Sequence, residues 1–394
     1  PYVAFGDSNY FVVWSRPRGD SADIYGARVT CGGTVLDSNG IPISVAPASQ
    51  GCVHVCSGAG MYLVTWDDKR NGWFDIYGAR VLPDGTVLDP QGIPIEIGPG
   101  TDEFSRSVFN GTNFFINYES VIGSFHYIQA RRMTVDGVLV DTMPITISNN
   151  GSQIVYCNAV AFDGLNHFIV WGNRSNYEDD IYGARVRIGG QVIEPNGFLI
   201  SYSANCQFRP CIDTDSSNYF VVWQDVREDS GDIRGARITP AGSILDPCGF
   251  SICPRASNQE RPALSFDGRN YLTVWAERGR IYGTRVSPSA VVLDTIGFII
   301  SGSTINCYYP PAADYDNRNH FVVWSTWNMS GDTLKGARVS ADGVILDPRG
   351  IVISASRYHI RYPSLAFDGR NYLVAWSVEE GPSSYTDIYC TRVT

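Results

Sequence analysis

One phrase recurs eight times along this chain and limits what it can fold into. In its fullest form it reads Asp75-Ile76-Tyr77-Gly78-Ala79-Arg80-Val81. Its arginine falls at Arg28, Arg80, Arg132, Arg185, Arg237, Arg285, Arg338 and Arg392, at spacings of 52, 52, 53, 52, 48, 53 and 54. A period near fifty overrides the two or three domains that 394 residues would otherwise suggest. Nine residues after each of the first seven arginines stands an acid: Asp37, Asp89, Asp141, Glu194, Asp246, Asp294 and Asp347. The eighth has no follower before Thr394.

Each unit carries four short extended runs. In the sixth, Pro262–Phe266 precedes the turn Asp267-Gly268-Arg269-Asn270. Then come Tyr271–Trp275, the phrase itself at Ile281–Val286, and a last run ending near Ser301. Aromatic and β-branched residues fill these runs, and no segment has a helical period. Eight four-stranded antiparallel sheets predict an all-β, eight-bladed propeller whose last blade lacks its outer strand. The blades fall at about 1–49, 50–102, 103–152, 153–203, 204–255, 256–303, 304–356 and 357–394.

Trp closes the second strand in seven blades, and Tyr118 replaces it in blade three. A large aromatic at one fixed position reads as packing between blades. The arginine and its acid read as a cross-strand pair. A two-residue turn at Asp84-Gly85 sets Arg80 opposite Asp89, which fixes register and contributes roughly 0.2–1 kcal/mol. The small residue two before each arginine, glycine in six copies, implies a close approach by a neighbouring aromatic. Arg392 alone lacks an acid. Ile388, Tyr389, Cys390, Thr391, Arg392 and Val393 are therefore expected to form an open edge, a template for a strand from elsewhere in the protein or from a neighbour.

The net charge of −10 disfavours nucleic acid and anionic membrane as partners. The chain opens at Pro1 with no signal peptide and no long apolar run, as expected of a processed or partial chain without membrane insertion. Ten cysteines point to an oxidising compartment: Cys31, Cys52, Cys56, Cys157, Cys206, Cys211, Cys248, Cys253, Cys307 and Cys390 are disulfide candidates whose connectivity spacing does not set. Four sequons agree with secretion, at Asn110, Asn150, Asn173 and Asn328.

No zinc-spaced cluster, nucleophile elbow or phosphate loop appears. We expect no catalytic residues, no metal and no cofactor. Asp213, Ser265 and Asp314 occupy one aligned position in the first strands of adjacent blades, a candidate polar arc in a central channel. Trp73 and Trp327 are loop aromatics able to stack on a sugar. The text NYLVAW, DIYGARV and DGTVLDPQGIPI resembles repeats of large secreted or surface proteins of bacteria, and the resemblance covers essentially the whole chain. It implies a propeller and brings no catalytic residues with it. The resulting expectation is an extracellular, non-enzymatic module. It would be a subunit of a surface structure or filament, joined by self-association or by a strand donor at blade eight. A glycan-binding propeller is the alternative, and a polysaccharide hydrolase or lyase comes third.

Overall fold

A computed structural model describes all residues except 150–153, 176–177, 203–204, 229, 303–308, 328–330 and 381–384. Seven four-stranded sheets and one three-stranded sheet form an eight-bladed propeller, and within each blade the strands meander in chain order. Blade two has strands Gln50–Gly58, Met61–Asp68, Asp75–Val81 and Ile93–Glu96. Blade eight has only His359–Phe367, Tyr372–Glu380 and Tyr385–Val393. No described helix is long and apolar enough to cross a membrane.

The core is distributed over the blade interfaces. Trp66, Trp171, Trp223, Trp275 and Trp324 are fully buried. Their indole edges lie against Gly92, Gly197, Gly249, Gly297 and Gly350 of the turn that leads into the fourth strand. Each of these glycines has a positive φ, between 61° and 73° in all five. The glycine of the repeated phrase is also explained. A Cβ at Gly26, Gly235 or Gly336 would lie 2.5, 2.8 or 2.4 Å from the ring of Phe11, Phe220 or Phe321.

The arginine and its acid do pair, but the hairpin differs from expectation. Val81 bridges Val87, and the Leu88 amide donates to the Arg80 carbonyl, one residue out of the anticipated register. The loop is three residues long, with Gly85 at φ 90° closing a type I turn, as in a G1-bulge hairpin. The fourth strand then leaves the ladder at Asp89. The Asp89 carboxylate takes the place of the missing main-chain acceptor: it accepts from the Arg80 amide at 2.9 Å and from Nε and Nη2 at 2.8 Å each. The same amide-to-acid bond recurs in all seven four-stranded blades.

The remaining guanidinium nitrogen reaches the next blade. Arg80 donates to the Val135 carbonyl at 3.0 Å, Arg132 to Ile188 at 3.1 Å, Arg237 to Pro288 at 3.2 Å and Arg285 to Ala341 at 3.2 Å. Arg28 and Arg185 reach Asp84 and Pro240 in the same way. The repeated arginine therefore staples neighbouring blades as well as clamping its own hairpin. Arg338 shows the converse: blade eight offers no such hairpin, and its side chain is 43% exposed against 15% for Arg80. Arg80→Lys, which loses the planar fork, is expected to cost about 1.5–3 kcal/mol by urea unfolding. Arg338→Lys should cost measurably less.

Arg392 has no acid, yet it is engaged. It donates to the Cys31 carbonyl at 3.2 Å and packs over Gly33. With Tyr10, whose hydroxyl donates to the Asn371 carbonyl at 2.6 Å, it closes blade eight onto blade one. Tyr10, Val12, Val29, Leu373 and Ala375 fill that seam.

Candidate functional site

Two sequons do not survive folding. Asn110 and Asn173 are 7% and 3% exposed. Asn110 spends its amide on the His167 ring and its oxygen on the amides of Thr112 and Asn113. A glycan has no access to either in the folded chain, and peptide mapping of protein made in a glycosylating host is expected to find both unmodified. Asn150 and Asn328 lie outside the described residues. The expected disulfide framework is corrected in part as well. Cys31, Cys52, Cys56, Cys248, Cys253 and Cys390 carry free thiols, with Cys52 and Cys56 on one strand. Cys157 and Cys307 fall outside the described side chains.

Ser265 leaves the expected polar arc, while Asp213 and Asp314 are half-buried and lie close enough to influence each other. First-strand side chains alternate between the two flanking blades, and Ser265 turns toward blade seven. Its Oγ lies 2.7 Å from His320 Nδ1, and His320 Nε2 lies 3.5 Å from Asp267. This Ser, His and Asp set looks catalytic on paper. Ser265 is only 5% exposed and His320 fully buried, and the set runs as a hydrogen-bond chain within the interface between blades six and seven. His320 occupies the place where a tyrosine in other blades hydrogen-bonds the preceding blade. Asp213 is pushed up to about 6 by burial and by Asp314, whose own carboxyl burial also raises. Trp73 stands 63% exposed. Trp327 instead joins Tyr309, Asp332, His359 and Arg361 around a pocket of about 370 Å³ between blades seven and eight.

A larger cleft, about 790 Å³, opens where the first strands begin, at one mouth of the channel. Tyr2, Trp14, Cys52, Phe104, Arg106 and Tyr362 line it, and Arg361 is shared with the smaller pocket. In six blades the first strand bulges at the step facing the Trp position, between Gly51 and His54 in blade two for example. The bulge turns its extra residue toward the mouth.

Behind this wall sits an acidic cluster that the sequence reading missed. The residues following the Trp position are Ser15, Asp67, Glu119, Gly172, Gln224, Ala276, Ser325 and Ser377. The only two carboxylates in that column lie on adjacent blades. Asp67 accepts from the Phe104 amide at 3.1 Å and is 1% exposed. Burial pushes it well above the usual carboxylate range, against the Cys52 thiol and the Phe104 amide, which favour the ion. Glu119 is paired directly across the ladder with Glu103. Like charges so placed repel, which favours keeping one of them protonated. Burial makes Glu119 that one: it is 5% exposed and pushed up to about 8. Its Oε1 has no hydrogen-bond partner among the described residues. Glu103 is half-buried and raised less. Arg106 faces the group and favours the ionised form of both Asp67 and Glu119. Asn117 and Asn158 hold the floor, with Asn117 donating to Asn158 at 2.8 Å and Asn158 to the Phe104 carbonyl at 3.2 Å. Among the described residues no three His, Cys, Asp or Glu side chains converge as metal ligands.

No family model and no curated protein sequence matches this chain. Solved structures of like fold do. A puromycin hydrolase aligns over 97% of this chain and 58% of its own, with TM-score 0.55 and 12% identity. A putative 6-phosphogluconolactonase from Bacteroides fragilis aligns over 98% and 96%, with TM-score 0.51 and 13% identity. Prolyl oligopeptidase B from Galerina marginata aligns over 96% and 54%, with TM-score 0.52 and 10% identity. The chain thus spans little more than half of two of these proteins. At such identities the likeness shows the fold alone. It nevertheless overturns the expectation of a non-enzymatic assembly module. Structures sharing this architecture carry the names of hydrolases and a lactonase, so a missing motif is no ground for excluding catalysis.

Proposed function

We propose that this chain is a hydrolase of carbohydrate chains working at the mouth of the propeller channel, with Glu119 as proton donor and Glu103 as base. The observation that carries this reading is the cross-strand pair Glu103 and Glu119, held in unlike environments behind Phe104 and Arg106, which line an open aromatic cleft. Paired carboxyls held in different protonation states are the working parts of acid–base hydrolysis of glycosidic bonds. Glu119 gives its proton to the leaving oxygen as the glycosidic bond breaks. A water adds to the freed carbon and yields its proton to Glu103, and exchange with solvent restores both groups. Arg106 lies where charge changes hands. Tyr2, Trp14, Phe104 and Tyr362 offer flat faces for sugar rings, and a cleft of this size holds a short oligosaccharide. The resemblance to repeats of secreted bacterial proteins supports placing this activity outside the cell. The test is release of reducing ends from a panel of polysaccharides. Cleavage that disappears in both Glu119→Gln and Glu103→Gln supports the reading. Full activity in either variant rejects it.

A further inference from the structure

The bulges at the channel mouth share an unusual feature. Cys52, Phe104, Arg209, Arg261 and Tyr362 occupy equivalent bulge positions with φ of 42°, 57°, 53°, 58° and 50°. Glycine takes this left-handed conformation freely, while a side chain there is strained. Arg209, Arg261 and Tyr362 also precede proline, which narrows their backbone freedom further. None of the five is glycine, so the strain is tolerated at every one of these positions. Strained residues gathered at one rim are a mark of a site.

What these positions present is chemically specific. Cys52, Phe104 and Tyr362 line the cleft. By the repeat symmetry Arg209 and Arg261, on blades five and six, face the same mouth from the opposite side. Arg106 lines the cleft as well. In a chain of net charge −10, this gathers cationic groups at one rim. The buried acids offset them less than their number suggests, since burial pushes Glu119 up to about 8 and raises Asp67 as well. No ion pair holds Arg106 or Arg209 among the described residues. Arg106 donates to the Ser105 carbonyl and lies over the Tyr2 ring, and Arg209 is exposed.

We infer that the substrate is an anionic carbohydrate, whose carboxylate, sulfate or phosphate groups are held by Arg106, Arg209 and Arg261. The inference rests on the hydrolase reading for the word substrate, but its charge argument is separate. Guanidinium forks suit such groups because they bind planar oxyanions with two hydrogen bonds.

The experiment uses the whole chain with polygalacturonate, chondroitin sulfate and neutral dextran as probes. Binding of at least one anionic polymer and not of dextran is expected. Affinity should fall about tenfold or more between low and high salt, as for any contact dominated by charge. The double variant Arg209→Gln and Arg261→Gln, remote from Glu119, should weaken binding by about tenfold and raise KM for whichever polymer is cleaved. Preference for polygalacturonate assigns carboxylates, and preference for chondroitin sulfate assigns sulfates. Equal binding of dextran, binding indifferent to salt, no binding of either anionic polymer, or a double variant that binds like the parent overturns the inference. Glu119→Gln separates the two ideas. Anionic polymer bound through the arginines yet never cleaved leaves this inference standing and removes the hydrolase. Dextran cleaved by the parent and not by Glu119→Gln does the reverse.

Discussion

Glu119→Gln is expected to lower kcat by about 10²–10⁴-fold, the usual worth of a positioned general acid. The substitution keeps length and shape and leaves the amide able to face Asn158, so folding should survive. Parent activity should be lost as pH rises past about 8, where Glu119 gives up its proton, and on the acid side as Glu103 becomes protonated. The alkaline limb is the diagnostic part, since an ordinary glutamate places no limb there. Stability gives an independent reading with a defined sign. Burial raises the folded-state value of Glu119 above its unfolded value, as it does for Asp102, pushed up to about 7. Such groups stabilise the fold fully below the unfolded value, and that stability is lost as pH rises through the folded value. The parent should therefore weaken between about pH 5 and 8. Glu119→Gln should weaken less over the same interval, measured by urea midpoints at each pH. A variant both active and unchanged in this pH dependence removes Glu119 from the site.

The repeat made the fold legible. A period near fifty, a closing aromatic and a paired arginine and acid lead to eight blades without any further information. The departures have physical causes. The hairpin register was missed by one residue because Gly85 is the left-handed third residue of a longer loop, not the second residue of a two-residue turn. The blade-to-blade staple was invisible because its acceptors are main-chain carbonyls, which carry no side-chain signature. Asn110 and Asn173 satisfy a sequon in text while their amides face protein. Trp327 and Trp73 look alike in sequence, yet the first lines a pocket while the second stands exposed.

The acidic cluster was hidden for a different reason. Reading a repeat for its consensus suppresses the exceptions, and the site is made of exceptions. Blade three, where Tyr118 replaces Trp and Gln129 replaces Tyr, is also where Glu103 and Glu119 meet. The aligned column after the Trp position holds the signal, because its two carboxylates stand side by side among small or neutral residues. Their pairing needs the bulge, which slips the first strand by one residue and brings Glu103 opposite Glu119. Strand periodicity alone does not reveal that slip.

Trp223→Ala is the substitution expected to harm stability most, by about 3–5 kcal/mol. Three separate losses meet at this residue. Its side chain is fully buried between blades four and five, packed with Phe168, Val170, Tyr219 and Ile238, so truncation leaves a large cavity. Gly249 is held at φ 67° against the indole edge, where a Cβ would stand 2.4 Å from it, so the turn into the fourth strand loses its support. The indole also donates to Asp225 at 3.1 Å, and Asp225 is 1% exposed. Arg227 grips the same carboxylate at 2.6 and 2.8 Å, so the acid stays buried in place while one of its donors goes. Trp223→Phe separates these contributions. It restores much of the volume but not the hydrogen bond, and should cost about 1–3 kcal/mol. Trp14, at the same repeat position but only partly buried, should tolerate alanine better than Trp223. Equal costs at the two sites, measured by denaturant unfolding, would mean that burial between blades does not set the energetics of the ring.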